Sequence, residues 1–471
     1  MIHDLKPYPV YKDSGVAWLG EMPEHWQVRP AFAAYRPKLI KNIGIVEKTV
    51  LSLSYGQIIV KPADKLHGLV PESFETYQIV EPGNIIVRTT DLQNDQTSLR
   101  VGIARQRGII TSAYLCLQVH DGLSSDFGYL LLNAYDLLKV LYRYGSGLRQ
   151  NLDFSHIKRM PVLVPPPDEQ SAIMRFLDHA DRRMRRYIRA KRKLIALLNE
   201  QKQAIIHRAV TRGLDPGVCL KPSGVEWLGD VPEHWEVRRV KQLSQVLRGK
   251  FTHRPRNDPS LYDGPYPFIQ TGEVARATKV ITSYKQTLNE RGLAVSKMFP
   301  AQTLVMTIAA NIGDVAVLDF EACFPDSVVG FVPRNVDRDF LYYAFRAMKP
   351  ELLREAPVNT QGNLNVDRIG SRGVAVPPER EQHEIVRHVE RSTTDLDCAI
   401  ASAQRETDLV REYRTRLIAD VVTGKLDVRE AAAGLPDEAE EPEAPDEAEA
   451  LAEAEEVAAD DLEALAAEDE V

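Results

Sequence analysis

The sequence predicts an α+β protein in which two mixed α/β domains are joined by two long antiparallel coiled-coil helices in a pseudo-twofold arrangement. Three observations predict this fold. A Trp-rich phrase occurs twice, a Val-rich run followed by consecutive prolines occurs twice, and each such run opens a long stretch with helical periodicity. With 471 residues, the chain is also too long for one ordinary core.

The Trp-rich phrase marks the start of each predicted domain. "SGVAWLGEMPEHWQVR" begins at Ser14 and "SGVEWLGDVPEHWEVR" begins at Ser223, with 12 of 16 positions identical. Since the sequence after each copy differs, we expect the phrase to seat a changeable domain on a constant support. His25 and His234 have no Cys or second His at ligand spacing, so they are predicted to be structural. The tryptophans should each bury ~150–250 Å²: Trp18, Trp26, Trp227 and Trp235.

A second matched pair of landmarks precedes each predicted long helix. "NLDFSHIKRMPVLVPPPDEQ" begins at Asn151 and "NLNVDRIGSRGVAVPPEREQ" begins at Asn363, an offset of 212 residues. In each, a strand-like run meets prolines and then acidic residues. Pro fits the first turn of a helix and acidic side chains favour its positive end. The landmarks therefore predict helices over residues 168–212 and 379–423.

Both predicted helices carry an apolar seam in alternating steps of four and three residues. Eight of the eleven seam positions are apolar in each helix. Such a seam needs a facing helix, and the simplest partner for each is the other. Gly213 and Gly424 follow the helices where a left-handed cap is expected. The first seam lies 212 residues before the second and consists of Ile173, Leu177, Ala180, Met184, Tyr187, Lys191, Leu194, Leu198, Gln201, Ile205 and Arg208.

Charge supports the pairing of the two helices. The first has a net charge of +7 and the second of −3, and opposite charges across a seam help to set partner and orientation. The basic stretch 182–193 is either a solvated face or a phosphate contact. At ~1.5 Å per residue each helix spans roughly 67 Å, an upper limit near 20 base pairs of DNA.

The chain is divided into five segments: 1–167, 168–213, 214–376, 377–433 and 434–471. The last is an Ala-, Glu- and Pro-rich tract with seventeen acidic residues and no Lys or Arg, and it is predicted to be disordered. It is either a solubilising segment or an autoinhibitory DNA mimic. Without it, 59 basic residues face 50 acidic ones, and this net charge of +9 suits either a polyanion partner or ordinary solubility.

Several classes of protein are excluded on sequence grounds. No apolar run is long enough to span a membrane and no leader opens the chain, so a cytoplasmic protein without membrane contact is expected. No Asp/Asn-Pro-Pro-aromatic motif for a flipped adenine, no P-loop and no nuclease carboxylate cluster is present. We therefore predict no catalytic residue and no metal site. The cysteines are widely spaced and predicted to be reduced: Cys116, Cys219, Cys323 and Cys398.

The two variable stretches are predicted to be mixed α/β domains of ordinary size. Residues 82–89 and 301–308 have the pattern of buried strands, and residues 127–145 have helical spacing. Polar and basic loops with interleaved Gly and aromatic residues connect them. Arg and Lys can pair with phosphates or guanine edges and Gln or Asn with adenine, although a solvated role stays open for any single loop residue.

From residue 11 to about residue 429 the chain resembles the specificity subunits of type I restriction-modification systems. The resemblance depends on the duplicated Trp-rich phrase, the paired "VPP…EQ" helix starts and the two dissimilar domains. It implies that segments 1–167 and 214–376 are target recognition domains, each reading one half of a bipartite double-stranded DNA target, and that segments 168–213 and 377–433 are spacer helices. The acidic tail is not part of this pattern.

The resemblance also implies partners and cofactors. Two methyltransferase subunits are expected to bind the chain, and restriction subunits can join. S-adenosylmethionine, ATP and Mg would be bound by these subunits and none by this chain. The alternative is a coiled-coil scaffold without sequence-specific DNA binding. For DNA contact we predict Ser54, Tyr55, Gln57, Lys61, Arg88, Arg149 and Gln150 in the first domain and Lys250, His253, Arg254, Gln270, Thr271 and Gln361 in the second.

Overall fold

A computed structural model describes most of the chain, and its described residues separate into two compact units. Unit 1 comprises the described residues between 5 and 190 and between 406 and 436, and unit 2 comprises those between 191 and 405. Each unit therefore contains part of both long helices. The described ranges are 5–54, 56–61, 74–90, 92–93, 99–120, 122–144, 151–253, 258–309, 311–355 and 366–436.

Both predicted long helices are confirmed, to within one residue at each end. The first begins at Pro167 and the second at Glu379, with acidic residues in each first turn. The helices of the described residues are α1 (Ala31–Ala34), α2 (Ser125–Leu137), α3 (Phe154–Ile157), α4 (Pro167–Arg212), α5 (Val240–Leu243), α6 (Thr271–Arg276), α7 (Glu290–Val295), α8 (Arg338–Glu355), α9 (Val366–Ser371), α10 (Glu379–Val422) and α11 (Arg429–Ala433).

Unit 1 is built around a four-stranded antiparallel sheet with the order β4-β11-β8-β9. The predicted strand at 82–89 is confirmed as β8. The predicted helix at 127–145 is shorter, because Lys139 has a positive φ of 58° and a 3-10 turn follows. The strands are β1 (Tyr11–Asp13), β2 (Glu21–Pro23), β3 (Gln27–Pro30), β4 (Tyr35–Pro37), β5 (Leu51–Ser54), β6 (Gln57–Val60), β7 (Gln78–Val80), β8 (Ile85–Val87), β9 (Val101–Ile103), β10 (Gly108–Ile110), β11 (Leu115–Val119) and β12 (Pro161–Val164).

Unit 2 contains a five-stranded sheet, β16-β24-β21-β22-β18, and a four-stranded sheet, β19-β17-β23-β20. The predicted strand at 301–308 is confirmed as β21, whose residues are all buried. The strands are β13 (Leu220–Pro222), β14 (Asp230–Pro232), β15 (Glu236–Arg239), β16 (Ser244–Arg248), β17 (Tyr262–Phe268), β18 (Val280–Ile281), β19 (Gln286–Leu288), β20 (Met298–Phe299), β21 (Leu304–Thr307), β22 (Val315–Leu318), β23 (Ala322–Cys323), β24 (Val328–Pro333) and β25 (Gly373–Val376).

The two sequence repeats form the same frame in each unit. The Trp-rich phrase directly follows β1 and includes β2 and β3 in unit 1; in unit 2 it directly follows β13 and includes β14 and β15. Its last strand pairs antiparallel with the Val-rich strand before the long helix, as β3 with β12 and β15 with β25. The repeated phrases are therefore joined to the helix starts by main-chain hydrogen bonds.

Within each unit, the segments of α4 and α10 run antiparallel. In unit 1, Tyr187 donates a hydrogen bond to Glu406 (2.5 Å) and Arg414 pairs with Asp181 further along. In unit 2, Lys202 pairs with Asp397. Residue numbers on α10 fall as those on α4 rise in unit 1, which fixes the direction there. In unit 2, Gly213 after α4 lies beside the first turn of α10, which gives the same direction.

The predicted heptad seam is confirmed in part: its first four positions in α4 are buried, and nine of its eleven positions in α10 are buried or half-buried. Tyr187 is 42% exposed and Leu194 is 41% exposed, and Tyr413 of the second seam also faces solvent. One series of buried and half-buried positions in each helix is also spaced by eleven residues. Eleven residues make about three turns of a straight helix, whereas a heptad repeat requires left-handed supercoiling. The inward positions include Ile173, Met184, Ile195 and Ile206 in α4 and Ile385, Leu396, Thr407 and Ile418 in α10.

Candidate nucleic-acid interface

The predicted residues Ser54 and Gln57 close the β5–β6 hairpin of unit 1. They face each other in the register, and Gln57 is exposed while Ser54 is half-buried. Between them, Gly56 has a φ of 77°, and its carbonyl accepts a hydrogen bond from Tyr129 Oη at 3.3 Å. A Cβ on Gly56 would lie 3.2 Å from Leu99, so the turn sits directly on the segment that leads into β9.

Arg88 lies at the same edge of the sheet as this turn. It follows β8, and its backbone N–H donates to the carbonyl of Arg100 at 2.8 Å. Arg100 is fully buried and holds the strand end from behind: Nη1 donates to Thr90 O at 2.7 Å, and Nε donates to Tyr142 Oη at 2.9 Å. Arg88 is therefore carried by a rigid backbone next to the hairpin turn.

Lys61 is separated from this group. Its backbone N–H donates to Val50 O at 2.8 Å, at the base of the same hairpin and away from the turn. The structure thus brings together Ser54, Gln57 and Arg88 and leaves Lys61 at the other end. Of the remaining predictions, these lie outside the described residues: Tyr55, Arg149, Gln150, Arg254 and Gln361.

In unit 2, two loops that are distant in sequence meet on either side of β23. Lys250 N–H donates to Phe324 O at 3.0 Å, and Ile269 N–H donates to Cys323 O at 3.0 Å. Ile269 directly precedes Gln270, so Lys250 and Gln270 flank the same short segment. The Lys250 side chain is exposed and Gln270 is half-buried.

Gln270 also forms the start of α6. Its N–H donates to Glu273 Oε2 at 3.1 Å in a capping box, and its side chain donates to Gln286 Oε1 at 2.7 Å. Thr271 is the first residue of that helix and is half-buried. His253 is hydrogen-bonded to Asp258 at 3.0 Å, which ties one end of its loop to the other. These contacts hold the polar loops in defined positions.

The repeated "EHW" residues clasp the start of a long helix, a contact that sequence reasoning missed. Glu169, in the first turn of α4, is buried and accepts from Trp26 Nε1 at 3.0 Å, Tyr8 Oη at 2.6 Å and His25 Nε2 at 2.6 Å. Burial and the neighbouring carboxylate hold the pKa of Tyr8 well above its ordinary value, so this phenol remains a donor. In unit 2, His234 pairs with Glu381 at 2.9 Å in the same way.

The glutamine after each of these glutamates ties the helix start to the rest of its unit. Gln170 donates to Pro165 O at 2.9 Å and accepts from Ser124, the N-cap of α2, at 2.8 Å. Gln382 donates to Pro377 O at 2.8 Å and accepts from Asp337 N, just before α8, at 2.7 Å. In the sequence, the signal for these contacts was the "EQ" pair that ends both landmarks.

The end of the other long helix meets each clasp. Gly424, after α10, has a φ of 79° and would place a Cβ 3.1 Å from the Trp26 ring. Gly213, after α4, has a φ of 73° and would place one 3.3 Å from the Trp235 ring. Both predicted left-handed caps are confirmed. Each fully buried Trp thus contacts the cap of one long helix, while its neighbouring His contacts the first turn of the other.

Two features are absent from the part of the chain that the structure describes. Within the ranges given above, no cluster of three or more His, Cys, Asp or Glu side chains has the arrangement of a metal site. Across the same ranges, no helix combines the length and the apolar character needed to cross a bilayer.

Comparisons with known proteins agree with the sequence resemblance. Residues 232–399 match the family model "Type I restriction modification DNA specificity domain". Of two relatives from Methanocaldococcus jannaschii, one is named for the type I restriction enzyme MjaX and is 19% identical over 433 residues, 87% of this chain and 96% of its own. The MjaVIII specificity subunit is 21% identical over 341 residues, 69% of this chain and 76% of its own.

A solved structure shares the fold. A chain from a study of the assembly and conformational transition of the type I R-M system has a TM-score of 0.59 at 13% identity, covering 86% of this chain and 99% of that one. Residues 232–399 thus match a type I restriction modification DNA specificity domain, and over most of its length the chain is similar to type I restriction enzyme specificity subunits.

Proposed function

We propose that the chain is the sequence-specific DNA-recognition subunit of a type I restriction-modification complex. One recognition domain in each unit reads one half of an asymmetric, bipartite target. The observation that carries this proposal is the His–Glu contact repeated at both helix starts, His25 with Glu169 and His234 with Glu381, under dissimilar sets of polar loops. A protein that reads two different half-sites needs similar supporting contacts in its two units and different loops above them.

The chain itself is non-catalytic, and the chemistry belongs to its partners. Two methyltransferase subunits methylate adenine with S-adenosylmethionine, and restriction subunits, with ATP and Mg, cleave. None of these cofactors is bound by this chain. The scaffold alternative is not favoured, because the specificity domain model matches the unit 2 loops as well as the helix start.

We propose a pseudo-twofold arrangement of the two recognition domains, in which the long helices set the distance between half-sites. The supporting contacts are reciprocal. Trp26 meets the start of α4 and the cap of α10, while the His234–Trp235 pair meets the start of α10 and the cap of α4. At ~1.5 Å per residue, either helix could span the unread bases between two half-sites about one DNA turn apart.

Gel-shift titration with the methyltransferase subunits present tests the function. A recognition subunit keeps its preference for one gapped duplex at raised salt, where phosphate binding without sequence preference fades. A scaffold would bind all duplexes with the same affinity, and that affinity would fall equally for all of them as the salt concentration rises.

Single substitutions separate base contact from phosphate contact. We expect Gln57→Ala and Lys250→Ala each to cost ~1–3 kcal/mol of binding free energy and to relax one position of the corresponding half-site if the side chain reads a base. Exposed Gln201 on α4 provides the control Gln201→Ala, which should change nothing. Equal weakening on every duplex, measured by competition, would assign the side chain to phosphate.

Shortening the helices tests the ruler. Deleting eleven residues from each helix, 185–195 and 399–409, removes about three turns or ~16 Å and keeps the apolar faces nearly aligned. The unread spacer, measured by methylation of a spacer library, should shorten by up to about five base pairs at ~3.4 Å each. Deleting nine residues instead turns the faces by about half a turn and should abolish folding. An unchanged spacer with the eleven-residue deletion would contradict the ruler.

A further inference from the structure

A loop of unit 1 presents apolar side chains to solvent. It connects β4 to β5 and comprises residues 38–48, here called the apolar loop. Ile43 is 72% exposed, Val46 is 68% exposed and Leu39 is 62% exposed, with Ile40 and Ile45 beside them. An apolar group of this size at the surface of one loop generally marks a binding site.

The exposure is built in, because the backbone of the apolar loop is braced. Asn42 is fully buried, and its side chain donates to Glu47 O at 2.9 Å and accepts from Glu47 N at 3.0 Å. Gly44 N–H donates to Glu75 Oε1 at 2.8 Å. Ile79 N–H donates to Ile40 O at 2.7 Å, joining the loop to β7. The apolar side chains are therefore held outward by a fixed frame.

Backbone strain supports a functional reading of this frame. Ile45 has a φ of 50°, in the left-handed region that a β-branched residue rarely enters. Left-handed backbone is sterically unfavourable for such a residue, and strain of this kind concentrates at functional sites. Here the strained residue is itself exposed, so burial of its own side chain does not offset the cost.

The charges around the apolar loop favour a polyanion. Lys41 and Lys48 are exposed on it, whereas Lys38 is half-buried and donates to Asn84 Oδ1 at 3.3 Å. Its one acidic side chain, Glu47, accepts from Lys48 N and Thr49 N at 2.9 Å and pairs with Arg107 at 3.4 Å. These hydrogen bonds hold the pKa of Glu47 below its ordinary value. Exposed apolar side chains next to lysines are typical of protein wedges that enter between base pairs from the minor groove.

Unit 2 lacks such a surface in the matching position. The loop after β16 has its apolar residues Phe251 and Leu261 buried in its own core. The two units thus differ in more than their polar loops. Among the described residues, only unit 1 has apolar side chains that face solvent in the loop at this position.

We propose that the apolar loop is a DNA wedge: Ile43 and Val46 enter between neighbouring base pairs at the first half-site and bend the duplex there. This inference rests on the proposed function and deepens it. Lys41 and Lys48 contact the flanking phosphates. Because the backbone of the loop is already held in place, the apolar side chains enter the base stack without a prior ordering of the loop. The half-site read by unit 2 is not bent by a counterpart.

The test uses the chain with its methyltransferase subunits and its gapped duplex, with 2-aminopurine placed in turn through each half-site. Bound wild type should raise 2-aminopurine fluorescence at one step of the first half-site. The double variant Ile43→Ala/Val46→Ala should remove that signal and weaken binding by about 5- to 30-fold. Leu138→Ala, an equally apolar truncation at an exposed position of unit 1, should alter neither quantity.

Three outcomes would overturn the wedge. Unchanged fluorescence and affinity in the double variant would show that the loop does not enter DNA. Loss of methyltransferase assembly with normal DNA binding by the remaining complex would make it a protein-docking surface. If wild type preferred no gapped duplex at all, the proposed function would fail first and the wedge with it. Circular dichroism of the variants excludes unfolding as the cause.

Discussion

Replacing Trp26 with alanine is expected to lower the free energy of unfolding of unit 1 by about 3–5 kcal/mol. The side chain is fully buried, its ring meets Tyr8 and Phe127 edge to face, and its Nε1 donates to Glu169. The substitution removes a large apolar volume and one of the bonds on a buried carboxylate. Chemical denaturation followed by hydrogen exchange, resolved by segment, measures the effect where it occurs.

The second copy of the phrase provides the matched comparison. Trp235→Ala should destabilise unit 2 by a similar amount, with a smaller polar component, because its Nε1 has no hydrogen-bond partner in the described part of the chain. Trp18 is only half-buried, so Trp18→Ala should cost less than either. Faster exchange spread evenly over both units in Trp26→Ala would contradict the local clasp.

Replacing Gly424 with alanine is expected to destabilise the end of α10 by about 2–5 kcal/mol. Left-handed backbone costs an alanine about 1–2 kcal/mol, and overpacking adds about 1–3 kcal/mol. A Cβ here would lie 2.5 Å from Pro23 Cδ and 3.1 Å from the Trp26 ring. Movement of either ring would disturb the hydrogen bonds to Glu169. The structure therefore cannot relax far enough to remove the steric overlap with the new Cβ.

Gly15 isolates the backbone contribution. Its φ is 72°, close to that of Gly424, yet no atom lies within 4 Å of the position a Cβ would take. Gly15→Ala should therefore show the conformational cost alone, and thermal unfolding of the two variants gives the difference. Equal destabilisation by both substitutions would mean that contact with Trp26 contributes nothing.

The repeats made much of the fold predictable. The offset of 212 residues located both long helices to within one residue, because Pro and acidic residues mark the start of each and a glycine marks its end. The inner register was not predictable in the same way. Apolar residues are frequent enough on both helices to fill a seven-residue pattern, and only packing shows which of those positions, such as Tyr187, Leu194 and Tyr413, face solvent.

The candidate site was predictable only in part, for a physical reason. Residue types suited to DNA could be identified in the loops, but which of them meet depends on strand pairing. The Gln57 turn and Arg88 each lie beside the segment that leads into β9. Lys250 and Gln270 flank β23, whereas Lys61 lies at the other end of its hairpin. The clasp on Glu169 was equally hidden, since Trp26 and Glu169 are 143 residues apart.

Mapping N6-methyladenine across the source genome, with and without this gene, tests the central claim most directly. Loss of methylation at one asymmetric motif, two short half-sites separated by a fixed run of unread bases, is the predicted result. Restoring the gene should restore that motif alone. Methylation that stays unchanged without the gene, or loss at an ungapped motif, would contradict a subunit that reads two half-sites at a set distance.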